Sequence, residues 1–443
     1  MLSSLNNITI SFKIQQFFCS TLTFEDPDKI VLHLASQLNT KDVVCPHCGE
    51  KVHICEWHTM TLKNFPLLKS VKVLFKVTYH RFRCQTCHRS FSEEIPFKHP
   101  GTRITIWAAK WIHDMLDANV PIKTIQEFSG IHWDTIKKIH KEHMNAKLNE
   151  HKNKDKIEGY KPKYLAVDEF AIHKGHSYAT CVMDLLRGDV IWVGKGRSMA
   201  DFKKFFEEID MEYLSEVEAF AMDMNASYNR LVSEYMPWTK IVYDRYHMQA
   251  QYGREVIGSV RLAEAAKHRS RAKEIERSIS KNTDKATRME LKVKAKEEYS
   301  QYSKLKGSRW TLLTNESNLN EEGIAKLQNI LANHSDLAVC YAMKEEMCAI
   351  FDLTDPDEAE VRWKNWFEAA KSSGINALER FATLKEKRLP GLISHAKHPI
   401  NTGKLEGLNN KTKVAKRLAY GYRDDDYFFT LIRYFTIPSP TFS

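Results

Sequence analysis

The chain has 443 residues, 43% of them hydrophobic, and 66 Lys and Arg against 56 Asp and Glu give a formal charge of +10 with a pI near 8.9. That length and composition exclude a disordered or fibrous chain and allow two to four domains with real cores, while the basic balance favours an anionic partner. No apolar run approaches the ~18 residues of a membrane span, and the start MLSSLNNITISFK lacks the features of a secretory signal, so the expectation is a cytoplasmic protein. Nine cysteines, an odd number without a secretory context, favour reduced thiols and metal ligation over disulfides.

Residues 1 to about 40 alternate loosely, as in Lys29–Ala35, and predict strands feeding the next module. Cys45-Pro-His-Cys48 and Cys84-Gln-Thr-Cys87 are two C-x-x-C knuckles, the spacing that lets two pairs of thiolates hold one structural Zn²⁺. Between them Val71, Val73, Phe75, Val77 and Tyr79 alternate toward Arg81-Phe82-Arg83, a strand leading into the second knuckle. The gap exceeds the ~15–20 residues of a compact zinc site, so this zinc ribbon, within 1–99, carries an inserted hairpin. A redox role needs one such motif beside a βαβ unit, not two framed by basic strands. Cys55, His47, His53 and His88 read as bystanders, and Cys19, Cys181, Cys340 and Cys348 as small core residues. After His99-Pro100-Gly101 the pattern predicts helices over Ile104–Leu116, Ile122–Phe128 and about Trp133–Met144, with Ser129-Gly130 as the turn. Residues 100–148 thus have a helix-turn-helix outline, with Lys137, Lys138 and Lys141 placed to bind DNA, and polar residues 149–163 read as a linker.

A short apolar strand then ends in Asp168-Glu169, and Ser177–Leu185 and Val190–Gly194 pair through Arg187-Gly188-Asp189. Ser198 with Asp201 starts a helix over Phe202–Ile209. Strand Ala219–Met222 ends in Asp223, a helix from Ala226 stops before Pro237, and strand Lys240–Tyr243 ends in Asp244. The order is β-β-β-α-β-α-β. A single acid at a strand tip reads equally as a turn former, but a buried strand delivering a carboxylate is also a way to build a metal site. From Gln249 onward the chain is helix-forming and basic, followed by helices Ile324–Asn333, Leu337–Phe351, Asp357–Ser372 and Ile375–Lys387.

That order, with acids ending the first and fourth strands, resembles the ribonuclease H-like core of DDE transposases and retroviral-type integrases. The stretches AVDEF, AMDMN, YDRYH, KLEGLNNKTK and AYGYRD together resemble the ISL-three family of bacterial insertion-sequence transposases, from the zinc-ligand candidates to about Phe435. The resemblance implies a third carboxylate on a later helix, for which Thr402–Leu418 offers Glu406. On that helix Glu406, Asn410, Lys413 and Arg417 share one stripe, while Leu405, Leu408, Ala415 and Leu418 share the opposite face. Asp168, Asp223 and Glu406 are then expected to hold two Mg²⁺ or Mn²⁺ ions. Glu169, Asp184 and Asp244 compete, and Asp244 takes a supporting place.

The stretch between Asp223 and Glu406 is too long for a loop, so an all-helical insertion, 249–395, divides the core into 164–248 and 396–443. The expected class is multidomain, α+β and α/β. The resemblance further implies that Arg245, Asn410, Lys413 and Arg417 contact DNA, leaves His247 open between a DNA contact and a structural hydrogen bond, and makes the partner double-stranded DNA, both terminal inverted repeats and target, held by a dimer or larger assembly. Ala419-Tyr-Gly-Tyr-Arg423 suits stacking near a splayed strand or serves as a lid on the core, and 438–443 reads as a tail. A DNA-binding regulator would explain residues 40–145 but not the carboxylates. A ribonuclease H-like nuclease or resolvase would not need two N-terminal DNA modules.

Overall fold

The computed structural model describes residues 7–67, 71–173, 177–280, 283–419 and 421–437 of a mixed α/β chain. Two compact units emerge: one runs up to Lys156 and takes in Asn410–Phe435, the other spans Ile157–Asn409. No helix among the described residues is long and apolar enough to cross a membrane.

The first unit opens with strands β1 (Asn7–Ile14), β2 (Phe17–Asp26) and β3 (Lys29–Ser36), followed by the long hairpin β4 (Val52–Lys63) and β5 (Lys72–Cys84) and the short β6 (Ser90–Ser92). They form one sheet, ordered β1-β2-β3-β5-β4 with β6 on β5, and β3 and β5 are its parallel pair. The apolar alternation of β5 buries Phe75 and Val77 with Phe17, Leu34, Leu62 and Phe97. Helices α1 (Ile106–Asp117), α2 (Ile122–Ser129) and α3 (Trp133–Glu158) follow, and the turn after α2 rests on Gly130, whose φ of +64° favours glycine. Their core is Ile112, Ile125, Ile136 and Ile139, while Trp107 stacks on Phe97, in the turn between β6 and α1, at 5.8 Å.

The linker expected over 149–163 is instead mostly helix, because α3 does not stop at Met144 but continues to Glu158. Its polar composition reflects solvent rather than disorder: Lys147 pairs with Glu150 at 2.9 Å, spaced as helix neighbours, and Gly159, at φ +63°, follows the last turn.

The second unit is built on strands β7 (Tyr164–Ala171), β8 (Tyr178–Asp184) and β9 (Val190–Lys195), then helix α4 (Met199–Glu208), strand β10 (Ala219–Met222), helix α5 (Ala226–Tyr235) and strand β11 (Lys240–Tyr243). The sheet order is β11-β10-β7-β8-β9, antiparallel through the hairpins and parallel where β7, β10 and β11 meet. Alternation puts Leu165, Val167, Phe220 and Met222 on one face, packed with Phe202, Phe205 and Leu231 of α4 and α5. Ala166, Asp168 and Ala221 are therefore left on the other face.

After β11 the chain is helical: α6 (Arg245–Tyr252), a five-residue π-turn at Gly253–Ile257, then α7 (Gly258–Ser278), α8 (Lys285–Gly307), α9 (Arg309–Leu313), α10 (Glu321–Asn333), α11 (Ser335–Phe351), α12 (Pro356–Lys371), α13 (Asn376–Glu386) and α14 (Leu389–Lys397). Trp363, Trp366, Phe367, Phe381 and Tyr252 fill their common core. Gly391 of α14 must be glycine, since a Cβ there would collide with the Tyr243 ring of β11.

The chain ends with α15 (Gly403–Leu418) and α16 (Asp425–Tyr434). Asn410–Phe435 belongs to the first unit, a correction to the expected division that placed all of 396–443 with the core. The reason is apolar: Tyr427 and Leu431 of α16 pack on Met144 of α3, and Tyr427 Oη lies 2.6 Å from His140 Nδ1. Tyr422 stacks on Phe428 at 4.6 Å, and burial pushes its hydroxyl up to about 12, so this tyrosine is a lid and not an exposed stacking platform. Tyr420 and the expected tail, 438–443, lie outside the described residues.

Candidate active site and metal centre

The two knuckles meet because β4 pairs with β5, with Val52 opposite Cys84, so the hairpin closes its base on both C-x-x-C turns. The metal-ligating atoms of Cys45, Cys48, Cys84 and Cys87 all lie within 4.8 Å of one another. Cys45 and Cys87 sulfurs are 3.6 Å apart, and Cys48 and Cys84 sulfurs 3.5 Å, close to the edge of about 3.8 Å expected for a tetrahedron with metal–sulfur bonds of ~2.3 Å. Amides of Cys87 and Thr86 point at Cys84 Sγ from 3.4 Å and pull that thiol down to about 6. Cys48 goes the other way, to about 12: the Glu50 amide lowers it most, but the Cys84 sulfur, burial and the Cys45 and Cys87 sulfurs together outweigh that. The residue after each knuckle, Gly49 and His88, is left-handed at φ +74° and +58°. The neighbouring Cys55 instead donates to the Arg81 carbonyl at 3.3 Å.

In the second unit the strand register gathers the acids. Ala219 lies opposite Tyr164 on one side and Lys240 on the other, so continuing each parallel strand four residues sets Asp168, Asp223 and Asp244 in one row at the C-terminal edge. Neighbouring strands stand about 4.8 Å apart. Their environments then separate them. Asp244 is 2% exposed and fully engaged: one oxygen accepts from the amides of Tyr246 (2.7 Å) and His247 (3.2 Å), capping α6, and the other accepts from the amide and hydroxyl of Thr402, both at 2.7 Å. Burial raises its pKa, but the Thr402 and His247 bonds outweigh it and hold the carboxyl below its ordinary value.

Asp168 meets one donor at each oxygen where Asp244 meets two. Oδ1 accepts from the Glu169 amide at 2.8 Å, and Oδ2 accepts from Asn409 Nδ2 of α15 at 2.9 Å. Burial pushes this carboxyl above its ordinary value and the Asp223 charge adds to that, against the Glu169 amide, His247 and Asn409. Asp223, with a side chain 47% exposed, faces His247 Nδ1 at 4.0 Å. Because its carboxyl is buried and also faces the Asp223 charge, Asp168→Asn is expected to raise the unfolding free energy by about 1 kcal/mol at pH 7. Denaturant titration checks it; a less stable variant overturns it.

Glu406 is exposed in the first turns of α15, and its amide bonds the Thr402 carbonyl. Asn409, one turn further, is the residue that reaches Asp168, whereas the sequence pattern singled out Asn410. The signal was present in the paired asparagines of KLEGLNNKTK, since i+3 shares the face of Glu406 as i+4 does. Among the described residues only the four cysteines form a ligand group closer than 4.8 Å, so the three carboxylates stand wider apart than ligands crowded round one ion. Carboxylates spanning two ions ~3.5–4 Å apart need not touch.

The competitors resolve structurally. Asp184 is buried and accepts from the Tyr160 hydroxyl and the Leu186 amide, a turn former. Glu169 faces the opposite side, toward Tyr228 and Arg197. Of the expected DNA contacts, Lys137 pairs with Asp424 at 2.7 Å, Lys141 with Asp426, and Arg245 with Asp352, so these cations already have protein carboxylates. Lys138 lies 3.8 Å from Glu142 on its own helix. Lys413 Nζ bonds Asn410 at 3.4 Å, and Arg417 is exposed. On the opposite face of α15, Leu405, Leu408 and Ala415 are buried as expected, but Leu418 is 46% exposed.

Comparison with known proteins places the chain in a family. A family model of ISL3-type DDE elements, described as Transposase, matches residues 165–432. The transposase for insertion sequence element IS1001 of Bordetella parapertussis is 32% identical over 410 residues, covering 92% of each chain. The transposase for insertion sequence element IS1557 of Mycobacterium tuberculosis is 24% identical over 271 residues, 60% of this chain and 58% of that one. The matched span takes in Asp168, Asp223, Asp244 and the helix of Glu406: the chain belongs to the ISL3 family of DDE transposases.

Proposed function

We propose that this transposase cuts and joins DNA at one site, in which Asp168, Asp223 and Glu406 hold two Mg²⁺ or Mn²⁺ ions on a ribonuclease H-like sheet. The observation that carries the reading is the register: Asp168, inside β7, and Asp223, just past the end of β10, stand in one row across the parallel pair, and Asn409 ties Asp168 to the helix of Glu406. Carboxylate oxygens suit hard divalent cations, whereas four thiols suit one tetrahedral Zn²⁺. Bound there, the divalent ions would polarise the phosphodiester and lower the pKa of water or a 3′-hydroxyl. The protein's own part is to set Asp168 and Asp223 in one row, to aim Glu406 through the Asp244–Thr402 anchor, and to place the His247 imidazole beside Asp223.

The substrate in this reading is double-stranded DNA, element ends and target, held by a dimer or larger assembly because two ends must meet. Helices α1–α3 act as a helix-turn-helix, and there DNA phosphates displace Asp424 and Asp426 from Lys137 and Lys141. Full-length protein, incubated with labelled duplexes from either side of its gene and Mg²⁺ or EDTA, tests the reading. Metal-dependent cleavage and joining are expected, falling at least about a thousandfold in Glu406→Ala while DNA binding persists. Binding without cleavage, equal in both proteins, would leave a DNA-binding regulator.

A further inference from the structure

Helix α6 presents His247 and, one turn later, Gln251 on the same face, and His247 stands 4.0 Å from Asp223. Gln251 Oε1 accepts from the Lys385 ammonium of α13, which lies 5.5 Å over the ring centroid of buried Phe381. The amide and the ring hold the ammonium on the His247 side of α6, and the Asp223 charge is felt there.

This cation is poorly compensated. Among the described residues Lys385 has one neutral hydrogen-bond acceptor and no carboxylate within ion-pair reach of 4.0 Å. Lys344, also enclosed, is treated differently: its ammonium meets the carbonyls of Leu312, Leu313 and Thr314 and pairs with Glu345 at 2.9 Å. A half-enclosed ammonium with N–H groups to spare asks for an anion. Burial lowers its pKa, opposed by Glu255 and Asp223. The π-turn bearing Arg254 and Glu255 adjoins it, a local irregularity of the kind found at working sites.

We infer that Lys385 is a substrate-contacting residue of the transposition site, its ammonium binding a non-bridging oxygen of the scissile phosphodiester brought to Asp223. The inference rests on the cut-and-join reading above. It assigns the helical insertion a direct part in the chemistry, since α13 lies far along the chain from every strand of the sheet. The ammonium stabilises negative charge as the phosphorus is attacked; it neither donates nor removes a proton.

The test compares full-length wild type, Lys385→Ala, Lys385→Arg and Asp223→Ala on the flanking-DNA duplexes, with the cleavage position mapped in the wild type and thermal melting recorded for each. Lys385→Ala is expected to melt near the wild type, to bind DNA within about threefold, and to cleave about a hundredfold more slowly, with Lys385→Arg recovering much of the rate. A duplex with one neutral methylphosphonate at the mapped position separates contact from support: it should slow the wild type far more than Lys385→Ala. Lys385→Ala that cleaves within threefold of wild type, or suffers the same methylphosphonate penalty, overturns the inference while a dead Asp223→Ala preserves the parent reading. A wild type that never cleaves overturns both.

Discussion

Cys84→Ser should release the bound metal and unfold the N-terminal sheet module, the largest stability loss expected of a single substitution in this chain. Structural zinc sites contribute about 10–16 kcal/mol of apparent binding free energy to folding, and removing one of four thiolates forfeits several kcal/mol of it. Cys84 ends β5 and takes two amide donors, so its loss also loosens the pairing that sets Val52 opposite it. The apolar core of this module is modest, with Phe17, Leu34, Leu62, Phe75, Val77 and Phe97 its main members, and a metal held by the four thiols would close the end of the hairpin beyond that core. Metal content per chain, thermal melting and protease resistance of the segment up to Lys156 give the readout. Cys55→Ser, which removes only an exposed thiol bonded to a carbonyl, should leave all three unchanged. Full metal content and a native melt in Cys84→Ser would show that the four thiols are not its ligands.

Asp244→Ala should destabilise the second unit by roughly 3–5 kcal/mol and remove cleavage although Asp244 is not assigned to a metal. The cap of α6 is worth about 1–2 kcal/mol, and the amide and hydroxyl of Thr402 each lose a charged acceptor in a buried place at about 1.5 kcal/mol. Two working helices hang from this one carboxylate: α6, which carries His247, and α15, which carries Glu406 and Asn409. Asp244→Asn, which keeps the shape and loses the charge, should cost about half as much. The pH dependence follows from the lowered folded pKa. The stabilisation is fully present above the unfolded carboxyl value near 3.9 and is lost as pH falls through the folded value, so wild type and Asp244→Asn should converge in stability in acid. Denaturant midpoints at pH 7 and below pH 4 make the comparison, and equal midpoints at pH 7 would sink it.

The elements of the second unit were legible because their signals are local. Strand Lys240–Tyr243 and the helix halted before Pro237 follow from alternation and from proline chemistry, and the structure draws them there. The same logic fails at α3, whose polar C-terminal run reads as a linker and is helix to Glu158. Polarity reports exposure, and an exposed helix is as polar as a coil. Lys137 and Lys141 show a second limit: their spacing on a helix says which face they share, not that Asp424 and Asp426, far along the chain, already occupy it.

By itself the sequence determined the inventory of this transposase: two thiol knuckles, a sheet with acids at its strand ends, a helix carrying Glu406, and a long helical stretch between them. Those features are set by spacings of two, three and four residues, which backbone geometry reads directly. Only the tertiary structure decided what each acid touches. Asp168, Asp223 and Asp244 stand in one row across three parallel strands, Asp168 inside β7 and the other two just past β10 and β11, and they part company because Thr402 saturates Asp244, Asn409 meets one oxygen of Asp168, and His247 stands off Asp223. A carboxylate's chemistry depends on how many donors reach it and how much water remains, and those partners arrive from distant parts of the chain.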